Sequence, residues 1–153
     1  MINIEYKIQK SNVEDIYNHL IDIDTDIIPK LSSSVNLQEF SKKIFNNTIR
    51  FEAWHFDKLI GLISVYYNNI NERIGFINHV GVSEQYRGLS ISSILLDNSI
   101  EYGRDKDFQT LKLDVAVEAN IAKELYIKNG FEIEKINKTT VKMYKKLDNG
   151  DIK

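Results

Sequence analysis

Cysteine is absent from the 153 residues. The chain therefore has no disulfide, no thiolate nucleophile and no thiolate metal site, a composition that suits a reducing compartment. A strong charge of either sign is also missing. The formal net charge of -2 argues against a protein built mainly to neutralise nucleic-acid phosphates, and no basic stripe accompanies the aromatic residues. No apolar run approaches the roughly 18 residues of a membrane span. The opening Met1-Ile2-Asn3-Ile4-Glu5-Tyr6-Lys7 lacks the layout of a signal peptide. Internal repeats, low-complexity tracts and linkers are absent as well. What is there is ordinary for a soluble domain: 42% hydrophobic and 27% charged residues. At this length a core forms without staples. The expectation is one soluble, cytoplasmic domain over residues 1–153.

Ile2-Asn3-Ile4-Glu5-Tyr6-Lys7-Ile8 alternates strictly and predicts a half-buried strand. Ser11 with Glu14 has the spacing of a capping box, and Val13, Ile16, Tyr17 and Leu20 share one helical face. That helix should stop before Pro29, the one proline of the chain. Asp22, Asp24 and Asp26 mimic the start of a calcium loop. Ile27 stands where the loop needs glycine and Ser33 where it needs glutamate, so calcium is rejected and solvated acids are expected. A second helix is predicted from Asn36, with Leu37, Phe40 and Ile44 on its buried face. Residues 49–56 and 59–67 are expected to pair as a hairpin about Asp57-Lys58, and residues 73–82 form a third run. A helix of about 89–104, a strand over 110–117 and a short helix closed by Asn129-Gly130 follow. Phe131–Ile136 and Thr140–Leu147 complete a final β pair, with a frayed tail from Asp148.

The centre of this order is Val80 to Asp97. It leaves an apolar strand, turns through Arg87 and Gly88, and enters an amphipathic helix at Ser90, Ser92 and Ser93. A basic residue, a glycine and a helix start with free N–H groups together suit a pyrophosphate. An ordinary strand–turn–helix with serine caps fits the same residues.

Two motifs here resemble the GNAT superfamily of acyl-CoA-dependent N-acyltransferases. Val80-Gly81-Val82 followed by Tyr86-Arg87-Gly88-Leu89-Ser90-Ile91-Ser92 is similar to the family's acyl-CoA loop, Arg/Gln-x-x-Gly-x-Gly/Ala. Ala122 followed by Leu125-Tyr126-Ile127-Lys128-Asn129-Gly130-Phe131 is similar to its Ala, then Leu-Tyr-x-x-x-Gly-Phe ending. The likeness is good over roughly residues 49–147; the first 48 match in outline. It implies an α/β (α+β) fold with a mixed, mostly antiparallel central sheet, about four helices and the order βααβββαβαββ. Two departures stand out. Ser90 and Ser92 replace the small residues of the loop, and serine's Cβ restricts close backbone approach. The asparagine that the family often places seven residues before the tyrosine falls on Ala119, with Asn120 one place late. Asn120 is then either a cofactor contact or a helix cap.

The resemblance implies acetyl-CoA as co-substrate and no metal. The acyl-CoA would lie between the strand ending at Val82 and the strand of 110–117. Backbone groups of Val80 and Val82 would pair with the pantetheine arm, one of them serving the oxyanion, and the pyrophosphate would rest on amides of Arg87, Gly88, Leu89, Ser90, Ile91, Ser92 and Ser93. Tyr126 matches the general acid for the departing thiolate; a phenol of pKa about 10 is a donor at neutral pH. His79 is the best-placed base for the amine, directly or through water, and a hydrogen-bonded wall histidine is the competing role. His55, Asp114 and Glu84 are weaker candidates. Trp54, Tyr66, Tyr67 and Phe76 sit on strands that would floor the acceptor site; most are expected to be core, with one or two shaping a pocket, and residues 24–36 are the expected lid. The expected acceptor is a small primary amine: an amino sugar, an amino acid or a polyamine. A protein or peptide amine, or a non-catalytic module that binds CoA or a partner, is the alternative. No nucleic acid or membrane is implied, and a homodimer is compatible with all of this.

Overall fold

The computed structural model describes residues 2–147, so the expected tail from Asp148 lies outside the described residues. The elements follow as β1 (Glu5–Ile8), α1 (Val13–Ile23), α2 (Leu37–Asn47), β2 (Ile49–His55), β3 (Lys58–Asn69), β4 (Ile74–Val82), α3 (Ile91–Asp105), β5 (Thr110–Ala116), α4 (Asn120–Lys128), β6 (Glu132–Ile136) and β7 (Thr140–Lys146). This is the expected order βααβββαβαββ. The strands form one seven-stranded sheet, β1-β2-β3-β4-β5-β7-β6. Its pairings are antiparallel except β4 with β5.

Each sheet face meets its own helices. Ile91, Leu95, Leu96 and Ile100 of α3 join Phe51, Ala53, Ile63, Val65 and Leu113 in one core. On the other face, Ile16 and Leu20 of α1 and Ile44 of α2 pack with Trp54, Leu59 and Leu62. Alternation along the strands makes this division possible, since successive side chains point to opposite faces.

Several starts and turns differ from the sequence expectation by one residue, each for a local reason. The capping box of α1 is Asn12 with Asp15, not Ser11 with Glu14. Asn12 Oδ1 accepts from Asp15 N–H at 2.8 Å and Asp15 Oδ2 accepts from Asn12 N–H at 2.9 Å. Ser11 is taken up elsewhere, donating its hydroxyl to the buried Glu52 carboxylate at 2.6 Å. The β2–β3 turn falls on Phe56-Asp57, with Phe56 at φ 54°. Helix α2 begins as expected, the Asn36 side chain capping Glu39 N–H at 2.9 Å.

Candidate active site

Strands β4 and β5 pair only from Ile74 opposite Thr110 to Ile77 opposite Leu113. Beyond that point β4 runs on to Val82 along β3, and β5 runs on to Ala116 along β7. The facing edges of residues 78–82 and 114–116 are therefore left without a partner strand. The divergence has a visible cause. The β3–β4 register shifts at Asn78, since Ser64 opposes His79 while Val65 opposes Ile77. One extra residue bends a strand and breaks its ladder. The Ser64 hydroxyl donates to the Asn78 side chain and holds the bulge in place.

The bulge also reverses which side chains face which helices. Ile77, Val80 and Val82 belong to the core under α3. His79 turns to the opposite face. There its Nε2 lies 3.0 Å from His19 Nε2 of α1, and its ring stands edge-on to Phe40 of α2. Burial pushes both imidazoles down, His19 to about 3 and His79 well below the ordinary value. Lys58 adds to the first shift and the neighbouring His19 to the second. Both rings are neutral at pH 7. Their folded values lie below the unfolded value of about 6.5, so the stability they contribute is complete above that pH and lost as the pH falls through it. Urea denaturation at pH 7 and pH 5 is expected to give a clearly lower midpoint at pH 5.

From Val82 the chain passes through Ser83 and a tight turn at Glu84–Tyr86 into the loop before α3. The turn is firmly anchored. Ser83 donates its N–H to Ile60 O at 2.8 Å and its hydroxyl to Asp22 at 2.6 Å. The Tyr86 hydroxyl and His55 Nδ1 are 2.7 Å apart. Arg87 donates from Nε to Val82 O at 3.2 Å and from Nη2 to Asp26 at 2.9 Å. Gly88 takes φ +82°, with open space where a Cβ would stand. Leu89 is exposed, Ser92 and Ser93 are half-buried, and the Ile91 side chain is buried in the core, leaving only its backbone for a ligand.

The serines are not caps. Ser90 occupies the N-cap position of α3 in the left-handed region, φ 62° and ψ 22°, and makes no side-chain cap bond. The first N–H groups of α3 thus have no capping side chain, which leaves them available to an anion. A left-handed conformation costs a residue with a Cβ about 1–2 kcal/mol, partly offset by the greater unfolded-state freedom of glycine. Ser90→Gly is therefore expected to raise the thermal midpoint slightly and to tighten CoA binding. Calorimetry on both proteins checks it.

Tyr126 lies on the inner side of α4, its ring 5.8 Å from that of Phe131 and its side chain in the same core cluster as Val82. Burial raises the phenol pKa above its ordinary value. Asn120 is not a helix cap. Ala119 holds the N-cap position, and Asn120 is the exposed first residue of α4. The weaker base candidates are engaged or remote: His55 is paired with Tyr86, Asp114 with Lys142 at 3.3 Å, and Glu84 is exposed. Trp54 is buried with its Nε1 bonded to Glu52, and Tyr67 bonds Ser99 O, so both serve the fold.

Of the three aspartates expected to be solvated, Asp22 and Asp26 are exposed but also bonded, Asp22 to Ser83 and Lys58 and Asp26 to Arg87, while Asp24 is buried and accepts from Ser32. Asp22 in the last turn of α1 and Asp26 just beyond it tie this region to the loop before α3, and Asp24 fastens Ser32 within the segment between α1 and α2. His19 was also not singled out by sequence, although it sits between Ile16 and Leu20 on the buried stripe of α1, and a histidine there is a legible signal.

Comparison with known proteins agrees with this architecture. The profile of the Acetyltransferase (GNAT) family matches residues 13–131, and the chain belongs to that family. Similar solved structures include the PaiA N-acetyltransferase from Thermoplasma acidophilum in complex with coenzyme A. It is 17% identical at TM-score 0.71, covering 93% of this chain and 99% of that one. A streptothricin acetyltransferase from Bacillus anthracis, in complex with acetyl coenzyme A, is 19% identical at TM-score 0.62, covering 70% and 68%. A chimera of the spermidine N-acetyltransferase SpeG from Vibrio cholerae and hSSAT is 20% identical at TM-score 0.74, covering 93% and 95%. At these identities the likeness speaks for the fold.

Proposed function

We propose that residues 1–153 form one acetyl-CoA-dependent N-acetyltransferase domain acting on a primary amine of a small molecule. The observation that carries this reading is the unpaired edge of β4 at residues 78–82, which leads directly into a loop and helix start with free amides. Such an edge pairs with an extended amide chain as a further strand would. Acetyl-CoA supplies the activated thioester. Backbone groups of Val80 and Val82 hold the pantetheine arm, and an N–H on this edge stabilises the developing oxyanion. Amides from Arg87 to Ser93 receive the pyrophosphate. Gly88 lets the backbone come close, and Arg87 adds charge. Asn120, exposed at the start of α4, is at most a peripheral contact.

Tyr126 keeps its proton at neutral pH because burial disfavours the phenolate, so it can donate to the leaving thiolate. His79 remains an unprotonated acceptor on the opposite face of β4. Similar structures named for spermidine and streptothricin acetylation make small amines the first acceptors to try. Acetyl-CoA with spermidine, glucosamine and lysine, followed by thiol release, tests the proposal. Turnover with one of these classes is the expected result. Acetylation of peptides alone would move the acceptor to a protein amine. Binding of desulfo-CoA with no turnover on any amine would make the chain a binding module.

A further inference from the structure

Ser83 donates its N–H to Ile60 O at 2.8 Å, and the residue before it, Val82, stands opposite Gly61 of β3. In an antiparallel ladder, hydrogen-bonded pairs alternate with pairs that share no bond. Ser83 and Ile60 are a bonded pair, so Val82 turns its N–H and C=O away from β3 and into the open edge. Val80, opposite Ile63 in the same register, does likewise. One of these outward groups is engaged by the chain itself. Arg87 Nε donates to Val82 O at 3.2 Å, and Nη2 of the same guanidinium donates to Asp26 at 2.9 Å. The guanidinium thus lies at the last rung of the edge, held there by a carboxylate 61 residues away in sequence. Two demands converge on this side chain. An extended amide arm that pairs with Val82 needs the carbonyl that Nε–H holds, and a pyrophosphate on the amides from Arg87 to Ser93 draws the guanidinium to itself. The contact with Asp26 opposes both.

We propose that Asp26 is a positioning residue that holds Arg87 as a latch over the Val82 end of the open edge, and that acyl-CoA opens the latch by taking Val82 O for its pantetheine arm and Arg87 for its pyrophosphate. The proposal rests on the acetyltransferase reading and concerns how the acyl-CoA enters. The exchange keeps the groups bonded. Val82 O trades a guanidinium N–H for an amide N–H, the guanidinium trades a carboxylate for a phosphate oxygen, and the Asp26 carboxylate passes to water. The latch is light. The Arg87 and Asp26 side chains are 47% and 26% exposed, so water screens their attraction, and a pair of this kind shifts an equilibrium by only about two- to fivefold. The turn itself need not move with the arginine, because Ser83 is fastened independently, through its N–H to Ile60 O and its hydroxyl to Asp22 at 2.6 Å.

The test titrates wild type, Asp26→Asn, Arg87→Ala and the double variant with desulfo-CoA and with pantetheine, the arm without its nucleotide. Heteronuclear NMR follows the arginine Nε–H signals, that of Arg87 being assigned by its loss in Arg87→Ala. Asp26→Asn is expected to bind both ligands about two- to fivefold more tightly, because Arg87 is released in advance. Pantetheine carries no phosphate, so a gain there cannot come from relief of charge repulsion by Asp26. Arg87→Ala should separate the ligands: desulfo-CoA binds more weakly for want of the phosphate contact, and pantetheine more tightly because Val82 O is free. In the Arg87→Ala background, Asp26→Asn should no longer alter pantetheine affinity. The wild-type Arg87 Nε–H signal should shift on saturation with desulfo-CoA. Pantetheine binding by Asp26→Asn no tighter than wild type would overturn the latch, with the acyl-CoA site left standing. So would an Arg87 signal that stays in place at saturation, a result that needs no variant beyond the one used for assignment. Failure of every one of these proteins to bind desulfo-CoA at millimolar ligand would instead defeat the acyl-CoA reading, and the latch with it.

Discussion

Tyr126→Phe is expected to lower kcat by about 10²-fold or more while leaving CoA affinity and the thermal midpoint near wild type. Loss of one positioned proton donor to a leaving thiolate corresponds to about 2.7 kcal/mol of transition-state stabilisation at 10²-fold. Phenylalanine keeps the ring packed beside Phe131, so the fold and the β4–α3 loop should be undisturbed. The raised phenol pKa has its own consequence: kcat should show no decline from loss of this proton up to about pH 10. Steady-state kinetics of both proteins over pH 6–10, with calorimetric binding of desulfo-CoA, checks both statements. Wild-type kcat in the variant would remove Tyr126 from the chemistry.

Glu52→Ala should destabilise the fold by about 3–5 kcal/mol and lower the thermal midpoint on the order of 10 °C. Glu52 is fully buried in β2 and collects five donors. These are the N–H groups of Lys10 at 3.1 Å and Ser11 at 3.0 Å, the Ser11 hydroxyl at 2.6 Å, Trp54 Nε1 at 2.9 Å and Arg50 Nε at 3.3 Å. Arg50 is itself buried and also donates to Ser11 O at 2.8 Å and Phe45 O at 3.3 Å. Alanine would strand the guanidinium and several N–H groups in the interior without an acceptor. An uncompensated buried charge costs far more than the intact pair contributes. Because the cluster fastens the segment before α1 to β2, the loss should act on the whole cooperative unit. Urea denaturation measures it, and a change under 1 kcal/mol would contradict this account of the cluster.

Much of the architecture was legible in the sequence because period and punctuation agreed. Strict alternation marked β1 and β5, and the apolar stripes marked α1 and α2. Asn129-Gly130 marked the end of α4, where Gly130 takes φ +92°. The phosphate loop and Tyr126 were legible only through motif resemblance, since composition alone cannot separate them from a capped helix and a packed ring. The bulge at Asn78 was not legible. Nothing in Ile77-Asn78-His79 announces an extra residue, yet that residue opens the cleft and sends His79 toward α1 instead of α3. Partners far apart in sequence were equally hidden. Ser11 meets Glu52, Asp22 meets Ser83, and Asp26 meets Arg87 only after the sheet has assembled. Ser90 is the instructive case: its left-handed backbone is the glycine-like conformation of the loop, carried by a residue that has a Cβ.

Calorimetric titration of the full chain with acetyl-CoA, and with desulfo-CoA as a non-reactive control, tests the central claim most directly. The account predicts saturable binding of both, with Arg87→Ala binding several-fold more weakly because one charge is lost from the pyrophosphate site. No binding of either at millimolar ligand would show that the cleft beyond Ile77 and the loop through Ser90 do not form an acyl-CoA site, and the proposed chemistry would fall with it.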